Sequence, residues 1–211
     1  MANTPDFLII GLTEPEASDS SVEAGKITEY LLSGALDFMH IRKPEADSEY
    51  TLSLIEKVPQ NLHPRLVLHS HYNLLSRFTP GGIHYKNQED SYGAVTSAGK
   101  AGLFITRSCH SLNEFAKSES GFFYNFLSPV FNSISKTGYS SRFSIDDPAL
   151  IVTNSNNRII ALGGVIPEYF DKLYHAKFAG AALLGYLWSR KTGFDEKIRN
   201  LIESRNNITK S

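Results

Sequence analysis

The sequence has few of the features of secreted, membrane-bound or nucleic-acid-binding proteins. Its single cysteine, Cys109, cannot form an internal disulfide, which fits a reducing compartment. No apolar run approaches the roughly 20 residues of a membrane span, and the opening segment "MANTPDFLII" has no basic leader. Lysine and arginine total 21 against 22 acidic residues, without a basic block. We therefore expect a cytoplasmic protein with no membrane or nucleic-acid partner.

Two common ligand-binding signatures are also missing. The first apolar run continues as "IIGLTEPE" and lacks the G-x-G-x-x-G turn that holds a dinucleotide. No H-x-x-x-H or histidine–carboxylate motif is present, although imidazole is a common zinc ligand. We therefore predict no metal site, and a zinc site remains the minor explanation for the histidines described below.

Short apolar or β-branched runs alternate with segments of helical character along the 211 residues. The runs predict strands over residues 7–11, 35–42, 65–70, 81–85, 102–106, 122–127, 158–164 and 178–185. Helices are predicted over residues 22–33, 48–58, 72–77, 111–117, 146–153, 167–174 and 194–205. The segment 86–101 is the poorest helix candidate because Gly93 and Gly99 disfavour a long helix.

This alternation is typical of parallel strands joined by right-handed crossovers. Eight units predict the α/β class and a single, compact (β/α)8 TIM barrel over residues 1–205, with a frayed tail at 206–211. An open doubly wound sheet is the alternative.

The stretch "IIALGGVIPEYF" (159–170) runs from an apolar strand into two glycines and a proline-started helix. Backbone N–H groups at such a junction can hold a phosphate. Barrel enzymes often bind phosphate after strands seven and eight, which favours that role for Gly163 and Gly164. The alternative is a tight turn that simply needs glycine.

Five histidines lie at or just past the ends of predicted strands two to five, at the mouth where barrel active sites are built. They are His40, His69, His71, His84 and His110. His40 and Arg42, and likewise His69 and His71, share a face if the strands continue that far. Acid–base chemistry combined with anion binding explains this pattern. We expect His63 and His175 to be ordinary surface or half-buried histidines.

A polar loop, "LSPVFNSISKTGYS" (127–140), follows predicted strand six. Its hydroxyl groups and Lys136 form a candidate phosphate or diphosphate site, since loops on a rigid scaffold often carry function. A solvated loop without a ligand is the alternative.

In this order, the segments resemble the thiamine-phosphate synthase/TenI family, which has a compact (β/α)8 barrel. "MHIRKP" looks like the family's strand-two segment, with His40 and Arg42 as its pair, and "GGIHY" is similar to the end of its strand four. "RSCHS" looks like its strand-five serine–x–histidine, giving Ser108 and His110. "SPVFNSISK" resembles its hydroxyl–x–hydroxyl–lysine loop, giving Ser133, Ser135 and Lys136. "IIALGGV" and "AGAALLGYL" resemble its phosphate segments, with Gly163, Gly164, Leu184 and Gly185.

The departures from the family pattern bear on the reaction. Synthases of this family hold magnesium with an aspartate in an asparagine–aspartate–arginine motif after strand three, where this chain has His69 and Ser70. After strand four, Glu89 or Asp90 stands for a second aspartate, and Lys86 replaces a glycine. Lys43 precedes Pro44 where the family has an acid and then a lysine. Magnesium prefers oxygen ligands, so the change at Ser70 favours the metal-free TenI-like branch.

The resemblance therefore implies a TenI-like tautomerase that acts on a thiazole phosphate carboxylate without a cofactor. It implies catalytic roles for His110, Arg42 and Lys136, and substrate binding by His40, Ser108, Ser133, Ser135, Gly163, Gly164, Leu184 and Gly185. The alternatives are a divergent thiamine-phosphate synthase, which would need magnesium and an aminopyrimidine diphosphate, and a non-catalytic thiazole or thiamine phosphate-binding protein. Another phosphate-handling barrel enzyme also fits the residues. A homo-oligomer is compatible with the sequence.

Overall fold

A computed structural model of the chain describes residues 6–85, 89–111, 114, 121–132 and 158–208. Eight parallel strands form a closed barrel in chain order, which confirms the predicted (β/α)8 class. The strands are β1 (Leu8–Leu12), β2 (Phe38–Ile41), β3 (Leu66–Leu68), β4 (Gly82–Tyr85), β5 (Phe104–Cys109), β6 (Tyr124–Leu127), β7 (Ile159–Leu162) and β8 (Gly180–Leu183). Each lies in or overlaps one of the eight predicted strands.

Helices follow most of these strands. The α-helices are α1 (Ser20–Leu32), α2 (Ser48–Glu56), α3 (Glu89–Lys100), α4 (Phe170–His175), α5 (Gly185–Trp188) and α6 (Phe194–Ile208). Short 3-10 helices span Gln60–Arg65, Tyr72–Ser76 and Pro167–Tyr169. The predicted helix 146–153 and most of 111–117 lie outside the described residues.

The expectation of a poor helix between residues 86 and 101 is wrong, because α3 occupies twelve of these positions. A β-carbon built on Gly93 or Gly99 would meet nothing within 4 Å, so both glycines lie on the open side of the helix. Each costs about 1 kcal/mol of helix propensity, and burial of Ala98 offsets part of that cost. The helix ends at Lys100, and Gly102 beyond it has a φ of 72°, which permits the Leu103 N–H to bond to the Ala98 carbonyl.

Contacts within the chain group it into two compact units. One unit, Gly11–Arg107, contains β2, β3, β4 and α1 to α3. The other joins Met1–Ile10 to Ser108–Ser211 and contains β6 to β8 and α4 to α6. The core of each consists of buried strand residues, such as Ile41 and Leu68 in the first unit and Phe126 and Ile160 in the second. Every helix among the described residues is too short or too polar to span a lipid bilayer.

Candidate functional site

Three histidines meet inside the unit Gly11–Arg107, and the strand register explains why. Leu68 of β3 pairs with Ile83 of β4, so His69 follows β3 at the level of His84. His40 lies on the neighbouring strand β2, where it pairs with Val67. We call His40, His69 and His84 the histidine cluster.

The rings of the histidine cluster are in direct contact. His40 Nδ1 and His69 Nε2 are 2.7 Å apart and share a hydrogen bond. The rings of His69 and His84 stack at 4.1 Å with only 10° between their planes. Their exposed fractions are 0%, 4% and 4% for His40, His69 and His84, so the cluster is a buried polar group within the barrel.

The hydroxyl of Thr106 fixes the proton on His84. Thr106 pairs with His84 across β4 and β5, and its Oγ1 lies 2.9 Å from His84 Nδ1. The hydroxyl has one proton, which it donates to the Ile83 carbonyl at 3.4 Å. It must therefore accept from His84 Nδ1–H, which leaves the lone pair of His84 on Nε2.

The environment of His40 favours its neutral imidazole. Burial holds the pKa of His40 well below its usual value near 6.5, and the neighbouring His84 lowers that pKa further. His40 is therefore neutral at neutral pH, and its ring nitrogens act as one donor and one acceptor.

His69 and His71 do not share a strand face, because β3 ends before His71, whereas a shared face for His40 and Arg42 stays a prediction. β2 stops at Ile41, and the backbone N–H of the next residue, Arg42, donates to Thr13 Oγ1 at 2.8 Å. β3 stops at Leu68, and His71 adopts a left-handed conformation with φ of 57°. The ring of His71 points to the Ala46 carbonyl, with Nε2 at 2.9 Å, and is no part of the histidine cluster.

Lys43 is a structural residue in this geometry. Its Nζ lies 2.6 Å from Glu23 Oε2, and the two side chains are 0% and 1% exposed. A second bond runs from Nζ to the Glu16 carbonyl at 2.8 Å. Burial raises the pKa of the Glu23 carboxyl, and the Lys43 ammonium opposes that rise. Arg42 differs, since no described carboxylate lies within ion-pair distance of its guanidinium.

In the other unit, His110 directly follows β5 and is exposed. Its Nδ1 lies 3.2 Å from the Ser128 carbonyl, and its backbone N–H donates to Glu114 Oε2 at 2.7 Å. A carbonyl only accepts hydrogen bonds, so Nδ1 carries the proton and Nε2 carries the lone pair. This arrangement orients the imidazole and leaves Nε2 out of the Ser128 contact.

The two glycine turns leave β7 and β8 side by side, because Leu162 pairs with Ala182. Gly163 and Gly164 have φ of 93° and 67°, a region that L-residues rarely adopt. A β-carbon on Gly164 would lie 2.2 Å from the Asn132 carbonyl oxygen. Gly185 begins α5 one residue after Leu184. Among the described residues, none accepts a hydrogen bond from the N–H groups of Gly164 or Gly185.

The remaining predicted site residues are only partly described. Ser108 is an exposed residue of β5, and the neighbouring Cys109 is buried. Ser133, Ser135 and Lys136 lie outside the described residues, as does Lys86. The expectation for His63 and His175 is confirmed, since His63 is half-buried against backbone carbonyls and His175 is exposed.

A model of the family described as thiamine monophosphate synthase matches residues 10–187. The chain belongs to this family. Its fold is similar to that of a thiamine phosphate pyrophosphorylase from Bacteroides thetaiotaomicron, with 25% identity, 95% of this chain and 98% of that chain covered, and a TM-score of 0.71.

Two further structures show the same fold at lower identity. A thiamine phosphate pyrophosphorylase from Pyrococcus furiosus has 14% identity, 96% coverage of both chains and a TM-score of 0.68. A 3-hexulose-6-phosphate synthase also has 14% identity, with 94% of this chain and 99% of that chain covered and a TM-score of 0.65. A comparison with curated proteins finds no match.

Sequence reasoning missed the contact between the three histidines and the role of Thr106. His40 and His69 are 29 residues apart, so no local spacing motif connects them. Their common place at the ends of neighbouring predicted strands was the signal that pointed to the cluster.

Proposed function

We propose that this member of the thiamine monophosphate synthase family is a thiazole tautomerase of the TenI-like type. Its substrate would be a thiazole phosphate carboxylate. The reaction moves a ring proton and shifts a double bond, so it needs an acid–base group and an anion clamp. The observation that carries this proposal is the position of His110, an exposed imidazole whose Nδ1–H is tied to the Ser128 carbonyl.

His110 is the acid–base group in this proposal. Its Nε2 removes a proton from the thiazole and returns it to the other end of the shifting double bond. The carbonyl of Ser128 keeps the ring oriented and stabilises the imidazolium that forms after proton removal. Imidazole titrates near neutral pH, so the same group serves as base and acid.

The phosphate clamp consists of backbone N–H groups in the turns after β7 and β8, at Gly163, Gly164, Leu184 and Gly185. Two observations support this clamp. Leu162 pairs with Ala182, so both turns leave the same edge of the sheet. The N–H groups of Gly164 and Gly185 also have no acceptor among the described residues. N–H groups at strand ends and helix starts are well suited to phosphate oxygens. Ser108, Ser133, Ser135 and Lys136 complete the proposed substrate contacts.

Arg42 supplies the positive charge for the substrate carboxylate. Its guanidinium has no described carboxylate at ion-pair distance, so it retains its charge for an anion. His40 is completely buried and bonded to His69, and we leave it out of this clamp.

The residues after β3 do not fit the magnesium ion that a synthase of this family would use. The side chains of His69, Ser70 and His71 offer imidazole nitrogen and a neutral hydroxyl, whereas magnesium is held by carboxylate and water oxygens. We therefore include no metal-dependent step in the proposed reaction.

A divergent thiamine-phosphate synthase is the second candidate. It is favoured by the pyrophosphorylase from Bacteroides thetaiotaomicron, which covers nearly the whole chain at 25% identity. That reaction would join an aminopyrimidine diphosphate to a thiazole phosphate and release diphosphate with magnesium.

The two functions are separated by an NMR assay of the thiazole phosphate carboxylate in deuterated buffer, with EDTA or with magnesium. A tautomerase exchanges the ring proton in both buffers, and His110→Gln abolishes this exchange. His175→Gln is the matched control, because His175 is also exposed in the same unit with Nδ1 on a backbone carbonyl. Magnesium-dependent diphosphate release after addition of the aminopyrimidine diphosphate would favour the synthase. Tight substrate binding without either reaction would indicate a binding protein.

A further inference from the structure

The histidine cluster is unusual because three imidazoles are buried together. The possible ligand nitrogens of His40, His69 and His84 all lie within 4.8 Å of one another. Neutral imidazole is the form that binds metals, and burial favours that form for His40. We propose that the histidine cluster binds one divalent transition-metal ion of the zinc class.

The spacing of His40 and His69 is close to what such an ion requires, whereas the stacked ring of His84 must tilt away from its parallel contact with His69 before both lone pairs can point at one ion. With Zn–N bonds of about 2.0–2.1 Å, tetrahedral ligand nitrogens lie about 3.3 Å apart. His40 Nδ1 and His69 Nε2 are 2.7 Å apart, so two metal bonds require about 0.6 Å of opening. The ring that donates this hydrogen bond must also move its proton to its other nitrogen, so that both lone pairs face the ion. Three protein ligands leave a fourth coordination position for water.

Thr106 provides the outer contact of a metal ligand. Metal-bound histidines usually donate their second ring N–H to an oxygen, which fixes the tautomer and the ring orientation. The hydroxyl of Thr106 does this for His84, because it accepts from Nδ1 at 2.9 Å and so keeps the lone pair of His84 on Nε2.

The donor atoms also select the ion. Imidazole nitrogen suits zinc, cobalt, nickel and copper, whereas magnesium takes hard oxygen ligands. The proposed site therefore excludes magnesium. It uses none of the side chains assigned to the proposed tautomerase, so its test does not depend on that proposal.

The test uses the full chain without a tag, after EDTA has removed bound metal. This protein is titrated with Co2+ and, separately, with Zn2+. We expect one Co2+ per chain with the visible ligand-field bands of a tetrahedral site, displacement of Co2+ by Zn2+, and a higher Tm in the presence of Zn2+. Mg2+ should change neither the spectrum nor the Tm. Thr106→Val should weaken Co2+ binding about 10–100-fold, as expected for loss of the outer contact.

Substitutions at the ligands complete the test. His69→Gln and His84→Gln should abolish the bands, whereas His175→Gln should bind Co2+ as the unaltered chain does. Circular dichroism shows whether each variant is folded. If both glutamine variants unfold, the Co2+ affinity of Thr106→Val, which changes no ligand, tests the proposal instead. Absence of stoichiometric Co2+ binding to the folded, unaltered chain would overturn the proposal. Bands of unchanged affinity in folded His69→Gln and His84→Gln, or in Thr106→Val, would also overturn it.

Discussion

Strands β2 to β4 and strands β7 and β8 place polar groups in opposite ways. At β2 to β4 the polar groups are side chains, namely the histidine cluster and Thr106, buried and hydrogen-bonded to one another. At β7 and β8 they are backbone N–H groups of turns in which glycine leaves no side chain. The first arrangement presents nitrogen lone pairs, which suit a cation, and the second presents N–H donors, which suit an anion.

The two regions also depend on their residues for different reasons. Gly164 is required by its own backbone, because any β-carbon would meet the Asn132 carbonyl, whether or not a phosphate binds. The histidines differ, because their strand backbone sets no such requirement and their contacts are made by side chains. Packing therefore explains Gly164, whereas the histidines depend on their hydrogen bonds to one another and to Thr106.

Removal of the buried ion pair beside the histidine region should have the largest effect on stability. Lys43→Met leaves the Glu23 carboxylate buried without its cation, and we expect a loss of about 3–5 kcal/mol in the free energy of unfolding. Urea unfolding measures this loss. The double variant Lys43→Met, Glu23→Leu is the control and should be more stable than the single variant. A single variant as stable as the unaltered chain would mean that this ion pair is solvated.

Gly164→Ala tests the backbone requirement of the glycine turn. The new methyl group would clash with the Asn132 carbonyl at a position where φ is already 67°, so we expect a loss of about 3 kcal/mol. Thermal and urea unfolding measure it. If stability were unchanged while phosphate affinity fell, the glycine would be explained by its ligand and not by packing.

Thr106→Val examines the histidine region without changing a histidine. In metal-free protein it removes the acceptor of His84 Nδ1–H and leaves that donor buried, which costs about 1–3 kcal/mol. Urea unfolding in EDTA gives the value. Equal stability of the variant would indicate that water reaches His84 and that the cluster is not a closed polar group.

Gly25→Ala gives the smallest effect and has the opposite sign. Gly25 lies in the interior of α1, and a β-carbon there meets nothing within 4 Å. We expect a gain of about 0.5–1 kcal/mol, measured beside Gly164→Ala under the same conditions. A loss at Gly25 as large as that at Gly164 would remove the distinction between the two glycines.

The eight strands were predictable because short apolar runs bounded by polar segments are a strong local signal. Helix α3 was not predictable, since Gly93 and Gly99 lower the helix propensity of the segment. Both positions are open in the folded chain, which the sequence alone does not reveal. The start of α6 was predicted at residue 194, and the helix continues to Ile208, which is buried.

The candidate site was predictable in type but not in arrangement. The histidines were assigned to strand ends, yet their grouping depends on the register of His84 with Thr106 and of His40 with Val67, which no local pattern contains. His71 was paired with His69 by strand periodicity, and this prediction was wrong because β3 stops at Leu68 and His71 adopts a left-handed conformation. No local sequence pattern links Lys43 to its ion-pair partner Glu23.

The central claim is metal-independent proton transfer by His110, and NMR of the thiazole phosphate carboxylate in deuterated buffer with EDTA tests it most directly. The account predicts that the unaltered chain and His175→Gln exchange the ring proton at equal rates, while His110→Gln does not exchange it. Exchange that survives in His110→Gln, or diphosphate release that requires magnesium as the only detectable reaction, would contradict the account.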